Sequence, residues 1–198
     1  ATIINAVYNG ESIPLSVMAR AGQYAENKYL NKPCGLLDQG SSLAGGVSAF
    51  DFADGFAYDV IPADNLKIKF ALVDTGKSHS DLSHMYASIP AEMFSVARCL
   101  GKSRLVEADA DEFFASESDL RSKLGDRPVN RAKHFFQENE RVDRLVAALS
   151  SGNIREIIRL VNQSGDSSMH LLENCSADEN DTAIRDAVEY ARSCGAGV

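Results

Sequence analysis

The sequence contains no apolar run near the roughly 20 residues that would span a bilayer, and no charged segment followed by an apolar one opens it. A membrane span and a signal peptide are therefore not expected. Basic charge is also short. Twenty Lys and Arg stand against 28 Asp and Glu, a formal net charge of -8. That balance gives no footprint for phosphate backbones or anionic lipid, so nucleic acid and membrane are not expected as partners and a cytoplasmic location is. The four cysteines, Cys34, Cys99, Cys175 and Cys194, show no C-x-x-C pair and no dense framework. Neither a zinc site nor a disulfide scaffold is implied, and reduced thiols fit better. His79, His84, His134 and His170 lack metal-ligand spacing and receive no role. No repeat and no low-complexity tract interrupts the chain.

What remains is an ordinary globular composition, 44% hydrophobic and 24% charged over 198 residues. Ile3, Ile4 and Val7 recur at helical spacing and Asn9-Gly10 supplies a stop, so the chain is read as beginning inside a helix. Ser16 is a candidate cap for a second helix running to about Leu30, and Lys32-Pro33 ends it. The small-residue stretch 34–46 suits a tight backbone passage into a short helix. Val47 to Phe52 and Phe56 to Ile61 flank Asp54-Gly55 and predict a β-hairpin. Lys67 to Thr75 alternates and then turns continuously apolar, predicting a further strand.

Everything after Thr75 reads as helical. Met93, Val96, Ala97 and Leu100 mark a helix with Ile89-Pro90 near its first turn, closed by Gly101. A long helix carries Ala132 to Leu149 and ends at Gly152, and Asn153 caps the next. A last helix spans about Asn180 to Ser193, while Ser167-Ser168 with Asp166 and Gly165 reads as a helix cap. Asp178, Glu179 and Asp181 read as a solvated first turn rather than a calcium loop. Strands first and helices afterwards give an α+β class, with a weak boundary near 61–67.

One constellation carries chemistry. Gln23-Tyr24-Ala25-Glu26-Asn27 on a helix is followed by Pro33-Cys34-Gly35-Leu36-Leu37-Asp38-Gln39, which sets a carboxylate beside glycine at a helix start. On local sequence alone Asp38 also reads as a helix cap, Tyr86 as half-buried packing, and Glu26 as a solvated helix face.

This constellation resembles the segment that galactokinases carry before and through their sugar-phosphorylating aspartate. Further matches follow in order: Val73-Asp74-Thr75-Gly76 with Ser78-His79-Ser80-Asp81-Leu82, then Tyr86, Ala97-Arg98-Cys99-Leu100-Gly101, and Arg131-Ala132-Lys133-His134. Two departures stand out. Tyr86 is followed by Ala87-Ser88-Ile89-Pro90-Ala91-Glu92 where the family has a run of arginines, and Asp38-Gln39 by Gly40-Ser41-Ser42 where it often has a bulky residue.

The resemblance implies a place in the galactokinase–homoserine kinase–mevalonate kinase (GHMP) superfamily and its two-domain fold. Residues 1–61 would be the remnant of the N-terminal kinase domain and 62–198 the C-terminal domain, incomplete at its end. It implies ATP and Mg2+ as cofactors, galactose as substrate, Asp38 as catalytic carboxylate, and Gly35, Asp38 and Tyr86 as sugar-binding residues; Glu26 would support the site from behind. In the family a glycine- and serine-rich loop opening a helix holds the phosphates. The chain is expected to lie just downstream of that loop, to lack it, and to be inactive alone. The same frame would also suit an N-acetylgalactosamine kinase or a galactose sensor without catalysis.

Overall fold

The computed structural model describes all residues except 33, 63–67, 76–82 and 176–181, with the backbone only at 83–85. The chain forms two compact units, Ala1–Asn65 and Leu66–Val198. Among the described residues the structure is mostly helical with one two-stranded antiparallel hairpin, an α+β composition.

In the first unit, helix α1 (Thr2–Asn9) stops at Gly10 as the pattern predicts. Its buried Asn5 donates from Nδ2 to the Ile13 carbonyl at 3.1 Å and accepts from the Ile13 amide at 3.2 Å, tying the turn back to the helix. Helix α2 (Leu15–Tyr29) begins two residues earlier than a Ser16 cap would allow. Pro14 takes the cap position, its carbonyl accepting from Val17 and Met18, and Ser16 lies within the helix. A short helix α3 (Leu37–Ala44) follows.

Strands β1 (Val47–Asp51) and β2 (Ala57–Ile61) pair from Val47↔Ile61 to Asp51↔Ala57. The Asp51 carboxylate accepts from the Ala53 amide at 2.8 Å and closes the turn locally. Phe50 and Tyr58 face each other across the ladder, and Phe52 and Phe56 complete an aromatic cluster with centroids 5.6–6.0 Å apart. Such pairs stabilise a hairpin too small to stand alone.

The second unit corrects two expectations. The further strand predicted from Lys67 to Thr75 does not form: Lys67 lies outside the described residues, and 68–75 has no regular structure. Alternation prepares a chain for a sheet, but only a neighbouring strand supplies the ladder, and none of the described residues does. Ile68 packs instead on a helical core, and Phe70, Leu72 and Val73 are exposed. Helix α4 (Ser83–Cys99) also starts well before Pro90, which falls in its interior.

Next come a single 3-10 turn (Leu105–Glu107) and helices α5 (Ala110–Ala115) and α6 (Glu117–Leu124), a stretch in which the sequence pattern is weak. Helix α7 (Asp126–Ser151) ends where Gly152 takes φ 66°, a left-handed conformation that favours glycine. Asn153 caps α8 (Ile154–Ser167), its side chain accepting from the Glu156 amide. A π-helical turn (Ser168–Leu172) extends α8, with Ser168 at the C-cap of α8 and the buried Ser167 at the N-cap of the turn, where its side chain makes no cap hydrogen bond. Helix α9 (Ala183–Ser193) closes the described structure; Asp178, Glu179 and Asp181 lie outside it.

Two cores hold this unit. One gathers Val96, Ala97, Leu105, Phe113, Leu120, Val129 and Ala132 where α4, α5, α6 and α7 meet. Phe113 is fully buried there, which contributes about 2–3 kcal/mol. The other gathers Ala148, Ile157 and Leu160 between α7 and α8.

Candidate functional site

The connection from α2 to α3 is built by the polar side chains of α2. Gln23, Glu26 and Asn27 fall at i, i+3 and i+4 and so share one face. Asn27 Oδ1 accepts from the Cys34 amide at 2.8 Å. Gln23 Nε2 and Asn27 Nδ2 both donate to the Cys34 carbonyl, at 3.1 and 3.4 Å. Both backbone groups of Cys34 are thereby satisfied by side chains rather than by secondary structure, which fixes an otherwise irregular passage. Gly35, the next residue, is exposed, and a Cβ placed on it would meet nothing within 4 Å. The fold does not itself demand glycine at this position.

Asp38 lies in the first turn of α3 and is exposed. Its carboxylate enters no hydrogen bond or ion pair with another described side chain, and the helix N-terminus favours its negative charge. Immediately beneath it, Gln39 is anchored: its Nε2 donates to Glu26 Oε1 at 2.9 Å and lies 3.5 Å from Cys34 Sγ. Glu26 also meets Lys32 Nζ at 3.4 Å. Glu26 is thus not a free solvated residue but the support of Gln39. The Oε1 of Gln39 is buried with no hydrogen-bond partner, one of two such side-chain atoms among the described residues.

Gly22 and Gly40 let the helices and hairpin approach. A Cβ on Gly22 would sit 3.1 Å from Gln39 Cγ. One on Gly40 would sit 3.0 Å from Phe50 and 3.1 Å from Phe56, so the residue beneath Asp38 that departs from the family pattern is the one on which the aromatic hairpin rests.

Gly35, Asp38 and Glu26 all belong to the first unit, Gly35 and Asp38 flanking the connection and helix that Gln23, Glu26 and Asn27 hold. Tyr86 belongs to the second, on the N-terminal part of α4, and is exposed. Asp74 is exposed, and Ser78, His79, Ser80 and Asp81 lie outside the described residues. Pattern reading missed a buried arginine. Arg131 of α7, only 2% exposed, donates from Nη1 to Ser88 Oγ and Glu92 Oε2, each at 2.8 Å, and from Nε to the Leu172 carbonyl at 3.1 Å. Arg127 adds a second cation on Glu92, at 2.5 Å. The available signal was the paired i, i+4 spacing of Ser88 and Glu92 and of Arg127 and Arg131.

His134, to which no role was given, bonds through Nδ1 to Ser167 Oγ at 2.9 Å. Burial holds its imidazole below the ordinary value, and Arg141 adds to this while Glu138 opposes it. Beside it, α7, α8 and the π-helical turn border a polar cleft of about 440 Å3 that includes Gln137, Arg144, Gln163 and His170. Among the described residues no three His, Cys, Asp or Glu side chains gather to hold a metal ion, and no helix is long and apolar enough to cross a membrane.

No family model matches the chain. Individual relatives do. A galactokinase of Thermotoga neapolitana is 30% identical over 195 residues, covering 95% of this chain and 53% of the relative. The galactokinase of Homo sapiens is 31% identical over 156 residues, covering 78% and 39%. That of Glaesserella parasuis serovar 5 is 29% identical over 156 residues, covering 78% and 40%. These likenesses define a sugar-kinase-like chain, of the transferase class. More particularly, it is a stretch of galactokinase-type sequence, and it spans about half the length or less of these relatives.

Proposed function

We propose that the protein carrying this chain transfers the γ-phosphoryl group of ATP to the C1 hydroxyl of galactose, within the two-domain GHMP kinase architecture, and that the chain supplies sugar-facing residues of that reaction. The boundary between the two domains falls at residues 61–62 in this reading. Phosphoryl transfer has a loose transition state, so the protein contributes mainly position and charge. Asp38 orients the attacking hydroxyl and accepts its proton. Gly35, with open space where a side chain would stand, lets the sugar lie against the backbone. Tyr86 offers a hydroxyl to a sugar hydroxyl from an amphipathic ring.

The observation that carries this reading is an exposed carboxylate at a helix start, next to an open glycine, with the intervening loop pinned by α2, at the position where the galactokinase resemblance is densest. ATP and Mg2+ belong to the reaction proposed for the whole protein.

The test is Asp38→Asn in the natural protein, assayed with galactose and ATP. Turnover is expected to fall about 10²- to 10⁴-fold. Thermal unfolding is expected to be unchanged, because the side chain is exposed and unpaired among the described residues. Retained turnover in the variant would remove Asp38 from the reaction. A wild-type protein that binds galactose without turnover would make it a sensor, and a preference for N-acetylgalactosamine would reassign the sugar.

A further inference from the structure

Pro90 is placed where an ordinary helix would weaken. It falls inside α4 and has no N–H, so the Tyr86 carbonyl, its i−4 acceptor, loses the intrahelical bond that would tie the Tyr86 turn to the rest of the helix. Ser88 and Glu92 stand on either side of that proline, four apart and on one face. Both accept from the same nitrogen, Nη1 of Arg131, at 2.8 Å. The guanidinium is almost fully buried, and its Nε is fixed on the Leu172 carbonyl of the π-helical turn, so it is a rigid anchor rather than a mobile surface charge. Glu92 is held a second time by Arg127, from Nε at 3.0 Å. The half of α4 after the proline is thus secured by two arginines, and through Ser88 Arg131 also takes hold of the half that bears Tyr86.

We infer that Arg131, acting through Ser88 and Glu92, clamps α4 across Pro90 and is the positioning residue for Tyr86. This rests on the reading of Tyr86 as a sugar contact. The residues that build the clamp on α4 are those that replace the family's arginine run after the tyrosine, so the device belongs to this chain's own sequence. Tyr86 and Ser88 are about 200° apart around the helix. The clamp therefore grips the inner side of the turn while the tyrosine faces outward, and it sets the angle of the ring without touching a ligand.

The experiment measures galactose binding by titration calorimetry in the natural protein, for wild type, Tyr86→Phe, Ser88→Ala and the double variant. Arg131→Met risks misfolding because the residue is buried, whereas Ser88→Ala removes one hydroxyl and is checked by thermal unfolding. Ser88→Ala is expected to raise the galactose Kd roughly threefold to tenfold. In the Tyr86→Phe background it is expected to add nothing, because the group it positions is gone. A Kd unchanged by Ser88→Ala, or an effect that persists in full beside Tyr86→Phe, overturns the clamp while leaving Tyr86 as a contact. A Kd unchanged by Tyr86→Phe overturns the sugar contact itself, and the inference with it.

Discussion

Among the described residues, His134 is a buried side chain whose environment links folding to pH. Its imidazole is held below the ordinary 6.5 mainly by burial, and it faces Ser167, Glu138 and Arg141. Between that lowered value and 6.5 the unfolded chain binds a proton that the folded chain does not, so stability must fall as pH falls through this window. Urea unfolding at pH 7, 6 and 5 is expected to show this decline, and His134→Gln is expected to flatten it. An equally steep decline in the variant would assign the effect to other groups. No local pattern signals this residue's role, because its partner lies 33 residues away on another helix. At the candidate site the visible and hidden parts divide similarly. Asp38 and Gly35 were legible as a carboxylate and a glycine at a helix start, whereas the hold of Glu26 on Gln39 depends on how α2 and α3 pack and left no local pattern.

Helix α3 is positioned as an element, by what lies under Gly40. Replacing this glycine with alanine gains about 1 kcal/mol of helix propensity. The new methyl would meet Phe50 and Phe56 at 3.0–3.1 Å, and these rings are packed on each other at 5.6 Å, so neither can yield alone. Overpacking of this kind costs about 1–3 kcal/mol. Gly40→Ala is therefore expected to lose on the order of 1 kcal/mol by urea unfolding, and a variant as stable as wild type would mean that the hairpin shifts freely. Elements with local signals were read correctly: the hairpin from its Asp-Gly turn, α7 from its period and Gly152, α8 from Asn153. The failures needed distant partners. Residues 68–75 have strand alternation without a partner strand among the described residues, and Pro90 sits inside α4 where Arg131 grips both sides of it.

For the molecule as a whole, the telling feature is apolar surface left uncovered. Ile3, Ile4, Val7 and Tyr8 form one side of α1 and are all exposed, Tyr8 to 80%. In the second unit Phe70 is 85% exposed. An exposed apolar side such as that of α1 marks an interaction surface or an association liability. The 198-residue chain by itself is accordingly expected to bind a fluorescent apolar dye and to associate as its concentration rises. Ile4→Lys with Val7→Lys is expected to reduce both, with little change in thermal unfolding because neither side chain is buried. A 198-residue chain that stays monomeric and dark to the dye would show that this side of α1 is tolerated in water.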